Sequence, residues 1–175
     1  LFCMNAHKTE HGRHRHLWLR SDDDGLTWST PEDVTDRVGD DTFIPGPGVS
    51  IRIASGRLVV PGYVNRYGAD RVRTVSLSGC VYTDDQGRTW HGGQPVDYPM
   101  SNESQVVERA DGALLLNFRI QVKENPPGCR GAALSRDGGA TWSAPFLMTA
   151  LNEQPCQAGF IRWRPAGESG PGRLL

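Results

Sequence analysis

An eight-residue pattern, Ser/Thr-x-Asp-x-Gly-x-Thr-Trp, occurs three times in this chain, and three copies of one turn signal leave few folds open. The copies are Ser21-Asp22-Asp23-Asp24-Gly25-Leu26-Thr27-Trp28, Thr83-Asp84-Asp85-Gln86-Gly87-Arg88-Thr89-Trp90 and Ser135-Arg136-Asp137-Gly138-Gly139-Ala140-Thr141-Trp142. They begin at positions 21, 83 and 135, spacings of 62 and 52 residues. Self-similarity at that period marks one supersecondary unit repeated along an array. Each copy follows a short apolar run, Leu17-Trp18-Leu19, Cys80-Val81-Tyr82 or Ala132-Ala133-Leu134, so the pattern falls where one antiparallel strand turns into the next. In such a turn the Asp carboxylate accepts from backbone N–H groups two or three residues on, Gly supplies a positive φ, and Ser or Thr adds a second local acceptor. The Trp reads as an anchor between neighbouring sheets that hides ~150–250 Å², at most roughly 4–6 kcal/mol of stabilisation at about 25 cal/mol per Å². These boxes are expected to hold the fold and to leave chemistry to other residues.

A calcium loop is the competing reading of Asp22-Asp23-Asp24-Gly25. It lacks the alternating carboxylates and the Glu at loop position 12 that such a loop needs, so a turn is preferred and no metal is expected.

A second repeated element is a hairpin. Val49–Ile53, the turn Ala54-Ser55-Gly56 and Arg57–Val60 form one copy; Gln105–Glu108, the turn Ala110-Asp111-Gly112 and Ala113–Asn117 form another. A third begins at Ala158–Trp163 and resumes at Gly172–Leu175. Hairpin, strand, box, strand is the order of a four-stranded blade, so the fold class is all-β, a β-propeller. The spans read as blade parts 1–40, 48–98, 104–150 and 157–175 of a single domain, about two complete blades with parts of two flanking ones. With 21 Gly and 12 Pro, composition agrees. Both ends fall inside strand-like runs, Leu1-Phe2-Cys3-Met4 and Arg173-Leu174-Leu175, and an internal portion of a longer domain is expected.

A net charge of −1 argues against a nucleic-acid or anionic-membrane partner. No apolar stretch in this segment is long enough to span a bilayer. Cys3, Cys80, Cys129 and Cys156 fit neither a zinc spacing nor a dense disulfide framework.

In an up-and-down blade the turn between strands one and two shares a rim with the turn between strands three and four. The boxes therefore mark one rim, and the open ends of the hairpins mark the other. Glu103 and Arg119 stand eight residues to either side of Asp111, which makes them cross-strand neighbours on the rim away from the boxes. As an anonymous pair they read as a cross-strand salt bridge.

Their surroundings resemble a known family. Asn102-Glu103-Ser104-Gln105-Val106-Val107-Glu108, then Asp111-Gly112, then Asn117-Phe118-Arg119, is similar to the central active-site segment of the sialidase (neuraminidase) family. Pro45-Gly46-Pro47-Gly48 with Ser55-Gly56-Arg57-Leu58-Val59-Val60-Pro61 resembles its preceding blade, and Glu153-Gln154-Pro155-Cys156-Gln157-Ala158-Gly159 its next one; the three boxes resemble its Asp boxes. The resemblance implies a six-bladed propeller and an exo-α-sialidase, secreted or at the cell surface, that removes terminal sialic acid from sialylated glycans without a cofactor. On the family's pattern Glu103 is the base that activates a Tyr nucleophile, an exception to the two-carboxylate scheme, and Arg119 is one of three arginines clamping the substrate carboxylate. The acid/base Asp, the Tyr and the other two arginines are expected outside this chain, and the chain alone is expected to be inactive. The alternative is a non-catalytic propeller that binds glycans or proteins. A non-sialidase glycosidase on the same fold would keep Glu103 and need no arginine clamp.

Other residues invite a functional reading. His7, His11, His14 and His16 fall within ten positions, but without a fixed ligand period they read as a solvated loop. Asn102-Glu103-Ser104 matches a glycosylation sequon and reads as fortuitous. Glu108 is expected on the face opposite Glu103, Asp111 in its turn, and Arg130 and Arg162 in the scaffold.

Overall fold

A computed structural model describes residues 15–38, 43–70, 72–122, 128–152, 156–164, 169–170 and 172–175, with the backbone of 2–8 and 14. The strands fall into four antiparallel sheets taken in chain order. The first is β1 (Phe2–Lys8), β2 (His14–Trp18) and β3 (Glu32–Asp33), followed by one helical turn, α1 (Thr35–Val38). The second is β4 (Phe43–Pro45), β5 (Ile51–Arg52), β6 (Leu58–Tyr67), β7 (Arg73–Thr83) and β8 (His91–Gly92). The third is β9 (Ser101–Glu108), β10 (Leu114–Ile120), β11 (Cys129–Ser135) and β12 (Phe146–Asn152), hydrogen-bonded in the order β12-β11-β10-β9. The last is the pair β13 (Arg162–Trp163) and β14 (Arg173–Leu174).

The inner strands are apolar on both faces because a sheet packs against each. Along β6, Val60 and Val64 join Val34, Val38, Phe43, Val81 and Trp90 in a core shared with the first sheet. Val59, one residue out of phase, joins Cys80, Val106, Leu114, Leu116 and Phe118 in a core shared with the third. On the far side of the third sheet, Val107, Leu115 and Ala132 meet Phe160. A side-chain period of two thus sends alternate residues into successive cores.

The first strand of the second sheet differs from its expected span. It begins at Phe43, before residue 48, and is split: β4 pairs with Gly62–Val64 and β5 with Leu58 and Val59, while residues 47–50 leave the ladder between them, Gly46 still donating to the Pro61 carbonyl at 2.9 Å.

All three boxes have one hydrogen-bond pattern. In the second, Asp85 accepts from the Thr89 N–H at 2.8 Å and the Thr89 hydroxyl at 2.7 Å, and the Thr83 Oγ1 accepts from the Gly87 N–H at 2.9 Å. Asp23 and Asp137 engage Thr27 and Thr141 in the same way. The carboxylate thus reaches four residues on, further than the two or three expected, because two successive residues with positive φ curl the chain back: Gln86 at 61° and Gly87 at 90°. That is a primed turn, whose second central position favours Gly. With both Asp23 oxygens so engaged, the first box is built as a turn.

The anchor reading holds for two Trp and fails for one. Trp90 is 5% exposed and meets Trp18 of the first sheet edge-on, ring centres 5.5 Å apart. Trp142 is half-buried against the core shared by the second and third sheets. Trp28 is 49% exposed. A box Trp packs onto the sheet before its own, and among the described residues Trp28 has no such sheet beneath it.

The solvated-loop reading of the histidines is also corrected. β1 extends through His7 to Lys8, β2 begins at His14, and His11 lies outside the described residues. His16 is fully buried on β2, where its N–H donates to the Thr35 hydroxyl and its Nε2 to the Phe43 carbonyl, both at 2.9 Å.

Candidate active site

The ladder between β9 and β10 runs in register from Leu114 opposite Glu108 to Phe118 opposite Ser104, then slips so that Ile120 faces Ser101. The slip leaves Asn102 and Glu103 against Arg119 alone, a β-bulge, which breaks the ladder locally and re-aims a side chain. Here Arg119 Nη1 donates to Glu103 Oε2 at 2.8 Å. Both side chains are partly buried, 19% exposed for Arg119 and 28% for Glu103, and the buried Nε–H of Arg119 has no hydrogen-bond partner among the described residues.

The rim assignment follows from contacts. Arg57, at the hairpin turn of the second sheet, grips the box residue Asp84 with two hydrogen bonds of 2.8 Å and donates to the carbonyls of Asp137 and Gly138 in the next box. Hairpin turns and boxes therefore share one rim, and the Glu103–Arg119 pair stands on the other.

Around the bulge, buried hydroxyls bind β9 to the second sheet. Ser78 donates to the Asn102 carbonyl at 2.7 Å, Ser101 Oγ accepts from the Ser78 N–H at 2.8 Å, and Ser104 donates to the Gly62 carbonyl at 2.9 Å. All three serines are completely buried. The Asn102 side chain donates to Gln121 and accepts from the Glu103 N–H, each at 2.8 Å. Buried and engaged at both ends, that amide leaves no room for a glycan.

Sequence reasoning passed over the upper part of β6. Burial pushes the Tyr63 hydroxyl above its ordinary value and the Glu103 carboxylate pushes it further, against the opposing pull of Arg73 and Arg119. Tyr63 therefore lies within the electrostatic field of the pair. Next to it the buried Asn65 accepts from the Ser76 hydroxyl at 2.7 Å and faces the Tyr67 hydroxyl at 3.4 Å. The available signal was the alternation Tyr63, Asn65, Tyr67 at the end of an otherwise apolar strand.

The remaining candidates serve the scaffold. Glu108 accepts from the Ala54 N–H of the preceding hairpin, Asp111 pairs with Arg109 at 3.4 Å beside its turn, and Arg162 donates to the Glu108 carbonyl. Arg130 is buried between Asn117 and the Cys156 carbonyl. Residues 153–155 lie outside the described residues. Among the described residues no cluster of three or more His, Cys, Asp or Glu is placed to hold a metal, and no helix is long and apolar enough to cross a membrane.

Residues 1–160 match the family model described as a BNR repeat-like domain. The chain belongs to the sialidase family of BNR-repeat proteins. It is 34% identical to Sialidase-3 of Mus musculus over 184 aligned residues, 93% of this chain and 43% of the mouse protein. With the Sialidase of Bacteroides fragilis (strain YCH46) the identity is 35% over 148 residues, 81% of this chain and 25% of that one. Its structure superposes on the Hadza microbial sialidase Hz136 with a TM-score of 0.72 at 33% identity, covering 86% of this chain and 28% of the other. For the intramolecular trans-sialidase from Ruminococcus gnavus in complex with oseltamivir carboxylate, the TM-score is 0.69 at 28% identity. The fold is thus that of sialidase β-propellers, and this sialidase-family chain spans less than half the length of the relatives it matches.

Proposed function

We propose that the protein carrying this chain is an exo-α-sialidase, in which Glu103 is the base and Arg119 one of the substrate-carboxylate ligands. The observation that carries this reading is the partly buried Glu103–Arg119 pair, held at 2.8 Å in a bulge on the rim away from the boxes, in a chain whose relatives are named sialidases. Sialic acid bears its own carboxylate, so a neutral phenol attacks its anomeric carbon with less repulsion than a second carboxylate. Glu103 takes the phenolic proton as the new C–O bond forms, and the glycosidic C–O bond breaks as its oxygen is protonated by an acid elsewhere in the protein. Water then releases the sugar from the phenol. Arg119 meets the substrate carboxylate with donors beyond the one given to Glu103, and a guanidinium suits that task because it is always charged and can bind two oxygens at once. Sialylated glycans are the substrates in this reading.

The test is Glu103→Gln in the full-length protein. The amide is nearly isosteric but cannot take a phenolic proton, so turnover of a fluorogenic sialoside should fall by orders of magnitude while binding of a carboxylate-bearing inhibitor stays close to wild type. A purely structural salt bridge gives the reverse: stability lower by up to about 1 kcal/mol and normal turnover per folded molecule. That second result would remove Glu103 from the mechanism.

A further inference from the structure

The split in the first strand of the second sheet has a destination. Residues 46–50, which connect β4 to β5, lie against β9, the strand that carries Glu103. Gln105 meets them with both ends of its amide: its Oε1 accepts from the Val49 N–H at 2.7 Å and its Nε2 donates to the Val49 carbonyl at 2.8 Å. The side chain is 2% exposed. Gly46 packs so closely that a Cβ there would come within 2.8 Å of the Ser104 carbonyl oxygen, and a Cβ on Gly48 would overlap the Gln105 amide. The sequence Pro45-Gly46-Pro47-Gly48 is explained by this approach: the prolines stiffen the turn, and the glycines let backbone lie on backbone.

We propose that Gln105 is a positioning residue for Glu103, clamping the 46–50 turn onto β9. The inference rests on the sialidase reading. Its physical basis is the bulge. Opposite Arg119 the β9–β10 register slips, so the regular pairing that fixes a strand residue is interrupted where the base must be held, and the Glu103 N–H turns to the Asn102 side chain. Glu103 and Gln105 are two residues apart on one strand, and Ser104 between them is held against the second sheet, its hydroxyl donating to the Gly62 carbonyl and its backbone meeting Gly46. A buried amide that satisfies both groups of one residue is a strong, directional tie, and either group left alone would carry the cost of an unpaired buried polar atom. A scaffold without a base to aim could have closed β4 and β5 into one continuous strand.

Two variants test this in the full-length protein, with turnover of sialyllactose and thermal melting on the same preparations. Gln105→Leu removes both bonds; kcat should fall by about 10²-fold, the scale of a 1 Å misplacement of a reacting group, while KM changes little. Gln105→Glu supplies the signature that a merely structural role lacks. As a carboxylate it accepts from Val49 N–H but repels the Val49 carbonyl; protonated, it both accepts and donates and restores the clamp. Its kcat relative to wild type should therefore be low at pH 7 and recover as the pH falls toward the ordinary Glu value of about 4.3. The charged groups around the introduced carboxyl are Arg52, Arg162 and Glu108, which line the same cavity, together with Glu103 and Arg119 along the strand. Burial of the site, Glu108 and Glu103 move the recovery to higher pH, and the arginines oppose them. A Gln105→Leu protein with normal kcat, or a Gln105→Glu protein whose ratio to wild type is flat with pH, overturns the clamp and leaves the sialidase reading standing. A wild-type protein that turns over no sialoside overturns both.

Discussion

At the residue scale, the question is what the guanidinium of Arg119 does beyond its bond to Glu103. A strut needs only the charge, whereas a carboxylate ligand needs the planar fork. Arg119→Lys keeps the charge and loses the fork, and a charge-assisted hydrogen bond is worth about 1.5–3 kcal/mol. Inhibition constants for a carboxylate-bearing inhibitor should therefore rise roughly 10- to 150-fold, with little change for the matched analogue whose carboxylate is masked as a methyl ester. Equal losses for both compounds would make Arg119 a scaffold residue. Much of this pair was legible before the structure, because positions mirrored about a hairpin turn must face each other. The bulge was not, since the residues that meet it come from another sheet distant in sequence: Ser78, Gly62 and the 46–50 turn. Gln105 was equally hidden. Its partner Val49 is 56 residues away, and nothing in β9 itself distinguishes a clamp from an ordinary buried amide.

At the scale of the element, the three boxes have one local structure and three different environments. The Ser/Thr–Asp–Gly–Thr hydrogen bonds repeat because they are made within eight residues, and that part could be read from sequence. Burial of the Trp could not, because it depends on the neighbouring sheet: Trp90 has Trp18 and the Val34–Phe43 core beneath it, and Trp28 has nothing comparable. Large-to-small replacement at a buried aromatic costs about 3–5 kcal/mol, and a surface replacement usually stays within about 0.5 kcal/mol. Trp90→Ala should therefore lower the denaturation midpoint strongly and Trp28→Ala hardly at all, both measured by urea titration of this chain. Neither should alter the KM of folded full-length protein, since both lie on the rim opposite Glu103. A large loss at Trp28 in the isolated chain would contradict the packing described.

At the scale of the whole molecule, adjacent sheets are joined by apolar cores through their middle and, on the box rim, by Arg57, which donates to the carbonyls of the next box, while the aspartates close the box turns themselves. Asp85 is held down to about 2, chiefly by the Thr89 N–H and hydroxyl, and Asp23 to about 2 by the Thr27 hydroxyl first. Asp137 also reaches about 2: burial pushes it up, and the Thr141 hydroxyl and N–H outweigh that. Asp84 is lowered mainly by its hydrogen bonds from Arg57, the residue that ties one box to the next. A carboxyl that titrates near 2 when folded and near 3.8 when unfolded binds fewer protons in the folded state between those values, so its stabilising contribution is complete above about pH 5 and disappears as the pH falls to 2. Melting temperature should accordingly be level from pH 7 to 5 and drop steeply below 4. Asp85→Asn isolates one such group. The amide can accept through one oxygen but cannot take both the Thr89 N–H and the Thr89 hydroxyl with full negative charge, so the variant should melt lower at pH 7. Its curve should converge on wild type as the pH approaches 2, where the wild-type carboxyl is itself becoming protonated. Both proteins keep an acid limb, because Asp23, Asp84 and Asp137 still titrate in each. Curves that stay parallel down to pH 2 would mean that the box carboxylate contributes through shape and not through charge, and that the acid sensitivity of the molecule originates elsewhere.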